Sequence, residues 1–432
     1  MLAYIKSTIY FIKNAVYLKR NINNKFLNPM NTIKLFIIFS ICHIFNITCM
    51  SQPITEWIQR YNSPGNLNED LIDMVQDKYG NTFITGNVGS PTDIITLKYS
   101  SSGNLLWSRT YNGPANRGDE AVKINVDDSG FVYVAGKTFN SLQFTNYLII
   151  KYNPEGDLDW YKEFNFGDST TDVIHDMILD SNSNIYMTGY GSTCLKCTSD
   201  FMTIKTNKSG DLIWNKFFHG EGYFSNYAWT LTVDKSNRVI VSGMSADINN
   251  TYYNATVIYN SSGEVIQIIK IDSAEVRRLE IDDNYNLYIG GNKRSTYGPI
   301  NSDFFLNKYD SSGILIWSRM YGNNSTVNRN DYLSWMQLDQ ANKNIYITGL
   351  SDLNNQSGWD YLILRYNSSG DSIFKRGYSP VNNSDNQAVH MTIDKFNNTY
   401  ITGSANYNTP YYRFLTVKYD SAGNFIWAEN YL

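Results

Sequence analysis

Proline, cysteine and histidine are scarce in this chain: 9, 4 and 4 residues among 432. With so few prolines against 29 glycines and 15% aromatic residues, the chain is neither collagen-like nor disordered. Only His175, His219 and His390 follow residue 51, without HExxH spacing or a triad-like companion. No Walker, nucleophile-elbow or EF-hand pattern occurs. "GYGSTC" at Gly189 and "GEGYF" at Gly220 lack a third glycine and a following helix, which argues against a phosphate cradle. No catalytic residue is therefore assigned.

Acidic residues are missing from the first 50 positions, which hold Lys6, Lys13, Lys19, Arg20, Lys25 and Lys34. The remainder carries 30 basic against 40 acidic residues. Nucleic acid and anionic membrane surfaces, which need clustered positive charge, are disfavoured as partners. From Met30, a polar start with Lys34 leads into an apolar run from Leu35 to Ile47. Cys49 and Ser51 then stand at −3 and −1 of a cleavage site before Gln52. This is a secretory signal pattern. At 13 residues the run is too short to span a bilayer comfortably. The expected organisation is an upstream extension over 1–29, a signal peptide over 30–51 and one repeat domain over 52–432, with no transmembrane span in the mature chain. An uncleaved anchor or lipid attachment at Cys49 are the alternatives. Each places the domain outside the cytoplasm, as a secreted, periplasmic or outer-surface protein.

Two cysteines remain, Cys194 and Cys197 in "STCLKCTSD". A second pair for zinc is absent, and the CxxC sits in a polar loop rather than at a helix start. A small structural loop disulfide is the expected state; free thiols and redox chemistry stay open.

What the chain has in abundance is one phrase. "KYSSSGNLLW" from Lys98 returns as "KYNPEGDLDW" at Lys151, "KTNKSGDLIW" at Lys205, "IYNSSGEVIQ" at Ile258, "KYDSSGILIW" at Lys308, "RYNSSGDSIF" at Arg365 and "KYDSAGNFIW" at Lys418. The shared glycine falls at 103, 156, 210, 263, 313, 370 and 423, a period of about 53 that marks stacked supersecondary units. Between phrases, "NTFITG", "FVYVAG", "NIYMTG", "RVIVSG", "NLYIGG", "NIYITG" and "NTYITG" recur in the same seven-fold rhythm.

One unit, Asp119 to Phe164, resolves into four apolar stretches: "EAVKINV", "FVYVAG", "YLIIKY" and "LDWYKEF". These are strands a to d of an antiparallel sheet. Asp77, Asp127, Asp180, Asp234, Asp282, Asp339 and Asp394 open the a–b turns, where a carboxylate accepts backbone N–H bonds. The phrase glycine supplies the left-handed bulge of the c–d turn. Four-stranded units at this spacing predict an all-β, seven-bladed β-propeller. Trp107, Trp160, Trp214, Trp317 and Trp427, with Phe374, are expected to fill the space between blades. "EWIQRYN" at Glu56 looks like an eighth strand d. It and "IWAENY" are expected to compete for one slot, with one pairing there and the other covering an edge.

The phrases "DKYGNTFITG" and "DKFNNTYITG", the K-Y-x-x-x-G-x-x-x-W corner and "RTYNGPANRGDEAV" together resemble the bacterial SBBP repeat proteins. The resemblance runs from about Trp57 to the C-terminus. It implies seven propeller blades and names no shared catalytic residues. Blade 4 departs most, with Ile258 and Gln267 in place of Lys and Trp, and less regular packing is expected there.

Two groups of residues qualify as ligand sites. Eight positions before each turn aspartate stand Glu69, Asp119, Asp172, Asn226, Ala274, Asp331 and Asn386. As a ring near one mouth of the channel, the acids Glu69, Asp119, Asp172 and Asp331 can hold a polyhydroxyl ligand or a divalent cation such as calcium. Alternatively, each ties down its own d–a loop. The varied b–c loops carry Tyr252, Tyr253, Tyr297, Trp359, Tyr407, Tyr411 and Tyr412, which suit stacking on sugars or anchoring a protein, or pack beneath their loops. The expected function is an exported binding or scaffold module with a protein or carbohydrate partner on the loop face. The alternative, by fold analogy, is a propeller enzyme such as a quinone-dependent dehydrogenase or a polysaccharide-cleaving enzyme.

Overall fold

Alternating apolar stretches punctuated by Asx turns fold into 28 strands, paired as seven four-stranded antiparallel sheets, each in the order a-b-c-d. A computed structural model describes residues 56–432 apart from 141, 143, 168–170, 193–197, 223, 250, 295–301, 323–329, 352–357, 381–384, 407–411 and 432. Among the described residues all 28 elements are strands, and no helix is long and apolar enough to cross a membrane. Blades 1 to 7 span 69–111, 119–164, 173–218, 227–272, 274–321, 331–378 and 386–431. From blade 1 to blade 7, strand a of one blade lies beside strand a of the next, so these strands line the channel of a seven-bladed β-propeller.

The turns form as their chemistry requires. Asp77 Oδ1 accepts N–H bonds from Tyr79 and Asn81, both at 2.9 Å, and Asp127, Asp180, Asp234, Asp282 and Asp394 repeat the arrangement. The left-handed residue of this turn is not restricted to Gly or Asn: Ser183, Tyr285 and Lys343 adopt it at φ of 60°, 62° and 56°. The capping carboxylate holds the turn even where a side chain disfavours that conformation.

The c–d glycine has a second duty. Gly156 sits at φ +86°, and a Cβ there would lie 2.6 Å from the Trp107 ring of the preceding blade. Trp107 Nε1 donates to Pro154 O at 3.2 Å; Trp214 and Trp317 do the same to Ser261 O and Ser368 O. The tryptophan of one copy thus docks on the glycine turn of the next, and the repeated phrase is the latch between blades. In blade 4, Gln267 takes the tryptophan's place against Gly313. Packing stays regular there. The sheet keeps its four strands, and Ile240, Ile258, Ile269 and Ile271 pack against Val276, Leu279 and Phe305 of blade 5.

Ring closure is where the repeat breaks. Strand d of blade 7 is the C-terminal Phe425–Tyr431, paired with Tyr412–Tyr419. The "EWIQRY" segment forms no strand and lies on blade 1 instead. There Trp57 stacks near Tyr99, approaches Gly103 and donates to Ser101 O at 3.3 Å, the role that tryptophans 107, 214 and 317 play elsewhere. The outer part of the blade 1 face is therefore covered by the entering chain. Nearer the channel, Leu71 and Met74 are each 62% exposed and Phe414, on the facing side of blade 7, is 71% exposed.

Candidate functional site

The d–a and b–c loops share one face of the ring, and the column that begins strand a stands at its rim. Glu69 accepts hydrogen bonds from Ser63 N at 2.6 Å and from the Ser63 hydroxyl. Asp119 accepts from Gly113 N at 2.6 Å and Asp172 from Phe166 N at 3.2 Å. In all three the donor lies six residues earlier, in the loop that delivers strand a. Asn226 donates to Asp200 and accepts from Ser245, and Asn386 donates to Trp359 O. Asp119, Asp172 and Asp331 are buried at 1%, 0% and 2% exposure. Burial pushes the Asp119 carboxyl up and that of Asp172 to about 6, whereas the bonds from Ser63 draw Glu69 down. Among the described residues no three His, Cys, Asp or Glu side chains gather as a metal-ligand cluster.

The loop aromatics divide. Tyr253 is buried beneath the Lys270 ammonium, 4.8 Å from its ring, and Trp359 is half-buried against Tyr332. Tyr412 stands 54% exposed at the start of its strand. Tyr252 stacks on Phe224 with ring centroids 5.5 Å apart, and both remain open to solvent at 46% and 43%. The loop that supplies Phe224 also carries His219, whose Nδ1 meets Asp200 at 2.6 Å, and Glu221, paired with Lys270 at 2.7 Å. An exposed aromatic pair and a polar loop thus come together where the chain passes from blade 3 to blade 4. Tyr297, Tyr407, Tyr411, Cys194 and Cys197 lie outside the described residues, as does the segment 30–51 read as a signal peptide.

A third group was not anticipated. In every blade strand a contains a bulge, after Leu71, Ala121, Ile174, Ala228, Val276, Leu333 and Ala388. An extra residue re-aims the side chain that follows. The residues just past the bulge are Asp73, Lys123, Asp176, Thr230, Arg278, Trp335 and His390, one per blade. Asp73 pairs with Lys123 at 3.4 Å. Asp176 accepts from Thr230 Oγ1 and Leu231 N, both at 3.1 Å. Arg278 lies 4.1 Å above the Trp335 ring, and the imidazole of His390 is 3.8 Å from it. Asp73 and Asp176 bear on the charge of Arg278, and Arg278, Lys123 and Asp73 on that of His390, so these groups converge on the channel axis. Burial lowers both His390 and His175 below the usual imidazole range. The bulge residue His175 donates from Nδ1 to Ala228 O at 2.7 Å and stacks on Trp229 at 4.5 Å. A sequence signal exists for this ring: each member stands four positions before its turn aspartate.

The fold is shared with solved structures at low identity. The Dos1 propeller matches at 10% identity and a TM-score of 0.50, over 84% of each chain. A PL25 ulvan lyase bound to an oligosaccharide matches at 12% and 0.48, over 84% of this chain and 90% of that one. The propeller domain of the Trilobed protease from Pyrococcus furiosus matches at 12% and 0.46, over 81% and 95%. These likenesses concern architecture alone. No protein-family profile and no curated protein matches the chain. The class defined is a seven-bladed β-propeller with four-stranded blades.

Proposed function

We propose that this chain is an exported, non-catalytic propeller of SBBP-repeat type that binds a carbohydrate on its loop face. The observation that carries the reading is the exposed Phe224–Tyr252 stack, whose Phe224 sits on a loop that also carries His219 and Glu221. A flat aromatic surface accepts the apolar face of a sugar ring, and polar groups of the same loop supply hydrogen bonds to hydroxyls. Large aromatics left in water on a rigid scaffold are otherwise a cost. Location outside the cytoplasm follows from the signal pattern of residues 30–51 and fits such a partner.

The test is a glycan array probed with the purified chain and with Phe224→Ala and Tyr252→Ala. Binding reduced at least about tenfold in both variants, with unchanged thermal melting, supports the reading; each lost stacking contact is of the order of 1–2 kcal/mol. Absence of binding to any glycan, with binding to bacterial surfaces that survives periodate oxidation of their sugars, would point to a protein partner. Turnover of a sugar or alcohol by the purified chain would replace the binding reading with an enzymatic one.

A further inference from the structure

We infer that the channel holds a carboxylate-binding site centred on Arg278, distinct from the loop-face aromatic pair. Arg278 follows the bulge of strand a in blade 5, and its guanidinium carbon lies over Trp335 of blade 6, 4.1 Å from the ring centroid. Stacking uses the face of the guanidinium and leaves its edges for hydrogen bonds. One edge is satisfied: Nη1 donates to Arg277 O at 2.9 Å. The other is not. Among the described residues Nε is buried without a hydrogen-bond partner, and no carboxylate forms an ion pair with this side chain. The Nε–Nη2 edge is one of the two edges through which arginine takes both oxygens of a carboxylate in a fork.

The acids nearby do not compete for it. Asp73 is matched by Lys123 at 3.4 Å. Asp176 is occupied by Thr230 Oγ1, Leu231 N and Met177 N, and burial holds its carboxyl above the usual range. Burial likewise raises Glu280 to about 7, so it carries only part of its charge at neutral pH. Arg278 therefore stands in the channel with an open fork, within the field of Asp176, Asp73 and Glu280 but bonded to none of them, and the buried donor edge costs free energy unless an acceptor fills it. Trp335 backs the fork from one blade, and His390, solvent-exposed against the same indole from the next, presents an imidazole able to donate one further bond.

The experiment is calorimetric titration of the purified chain with sodium acetate, sodium D-glucuronate and D-glucose at constant ionic strength, repeated on Arg278→Gln and Arg278→Lys. Saturable binding of acetate or glucuronate but not glucose, weakened at least about tenfold in Arg278→Gln, is the expected result. Glucuronate binding more tightly than acetate would show that the ligand carries its carboxylate on a ring; equal affinities would show that the carboxylate suffices. Arg278→Lys keeps a charge and loses the fork, so it decides the matter should Arg278→Gln not fold. A tenfold loss supports the site. Unaltered affinity in a folded Arg278 variant, or no saturable carboxylate binding by the wild-type chain, overturns it. Tyr252→Ala leaves carboxylate binding intact, so this inference and the loop-face reading fail separately.

Discussion

Six blade-to-blade faces and the seventh use the same kind of residue at the same positions, yet only six of them bury it. Ahead of and behind the bulge, strand a presents Ala121 and Ile124, Ile174 and Met177, Ala228 and Leu231, Val276 and Leu279, Leu333 and Met336, or Ala388 and Met391 to the preceding blade, all at 8% exposure or less. The blade 1 equivalents, Leu71 and Met74, are 62% exposed. Phe414 stands at 71%, while Ile94, Tyr147, Phe201, Phe304 and Tyr361 at the matching place in strand c are at 1% or below. Side-chain chemistry does not distinguish the seam. What distinguishes it is the partner: six faces meet a neighbouring sheet, and the seventh is covered only along its outer part by the entering chain and Trp57.

The largest difference is expected from one substitution made at both places. Leu333→Ala empties a packed site and should cost about 3 kcal/mol in urea unfolding, whereas Leu71→Ala should cost less than about 0.5 kcal/mol. Equal costs would mean that the seam packs in solution. Next come the latches. Trp107 and Trp57 make the same contacts to the next turn, but Trp107 lies within a closed interface; Trp107→Ala should cost about 3 kcal/mol and Trp57→Ala about 1 kcal/mol. The Trp57 variant should also speed trypsin cleavage after Arg60, read by mass spectrometry. A Trp57→Ala penalty as large as that of Trp107→Ala would show the entering chain to be a full blade element.

The smallest effects are electrostatic and opposite in sign on the two sides of the comparison. At the seam, hydrogen bonds from Ser63 hold Glu69 below the usual carboxylate range, so its contribution is present above about pH 4.5 and is lost as pH falls through the lowered value. Inside a closed interface, burial raises Asp172 to about 6. The folded state then binds the extra proton, and stability from this group falls as pH rises from 3.8 to about 6. Glu69→Gln should flatten the acid limb of the stability–pH curve, and Asp172→Asn should remove the decline between those values. A shared sign for the two variants would contradict the burial contrast.

The repeated parts were legible in the sequence because each solves a local problem. Asp127 caps its turn through two backbone N–H groups a few residues away, and Gly156 takes a left-handed conformation that few other residues tolerate. Both leave marks at fixed spacing. Strand d of the unit read from Asp119 was placed at Leu158 to Phe164, as found, while strands b and c run on to Phe139 and back to Thr145, toward the loops. The channel ring was hidden for a physical reason: the bulge in strand a breaks the two-residue alternation by which inward positions are read. The acids of the rim drew attention because they recur, and they recur where loops must be tied, as Asp119 is to Gly113 and Asp172 to Phe166. The column of Asp73, Lys123, Asp176, Thr230, Arg278, Trp335 and His390 repeats in position, four residues before each turn aspartate, but not in residue type, so only its spacing marks it. The open seam left no mark either, since Leu71 and Phe414 are the residues a packed face would carry. Whether the last blade meets the first depends on six interblade rotations summed around the ring, which no short stretch encodes.

Hydrogen exchange followed peptide by peptide tests the openness of the seam most directly, because strand a of each of blades 2 to 6 serves as a control within the same molecule. The amides of Glu69–Gln76 should exchange at least about tenfold faster than those of strand a in blades 2 to 6, where both flanking sheets exclude water. Equal protection of strand a in blades 1 to 6 would contradict an open seam and show a ring closed in solution.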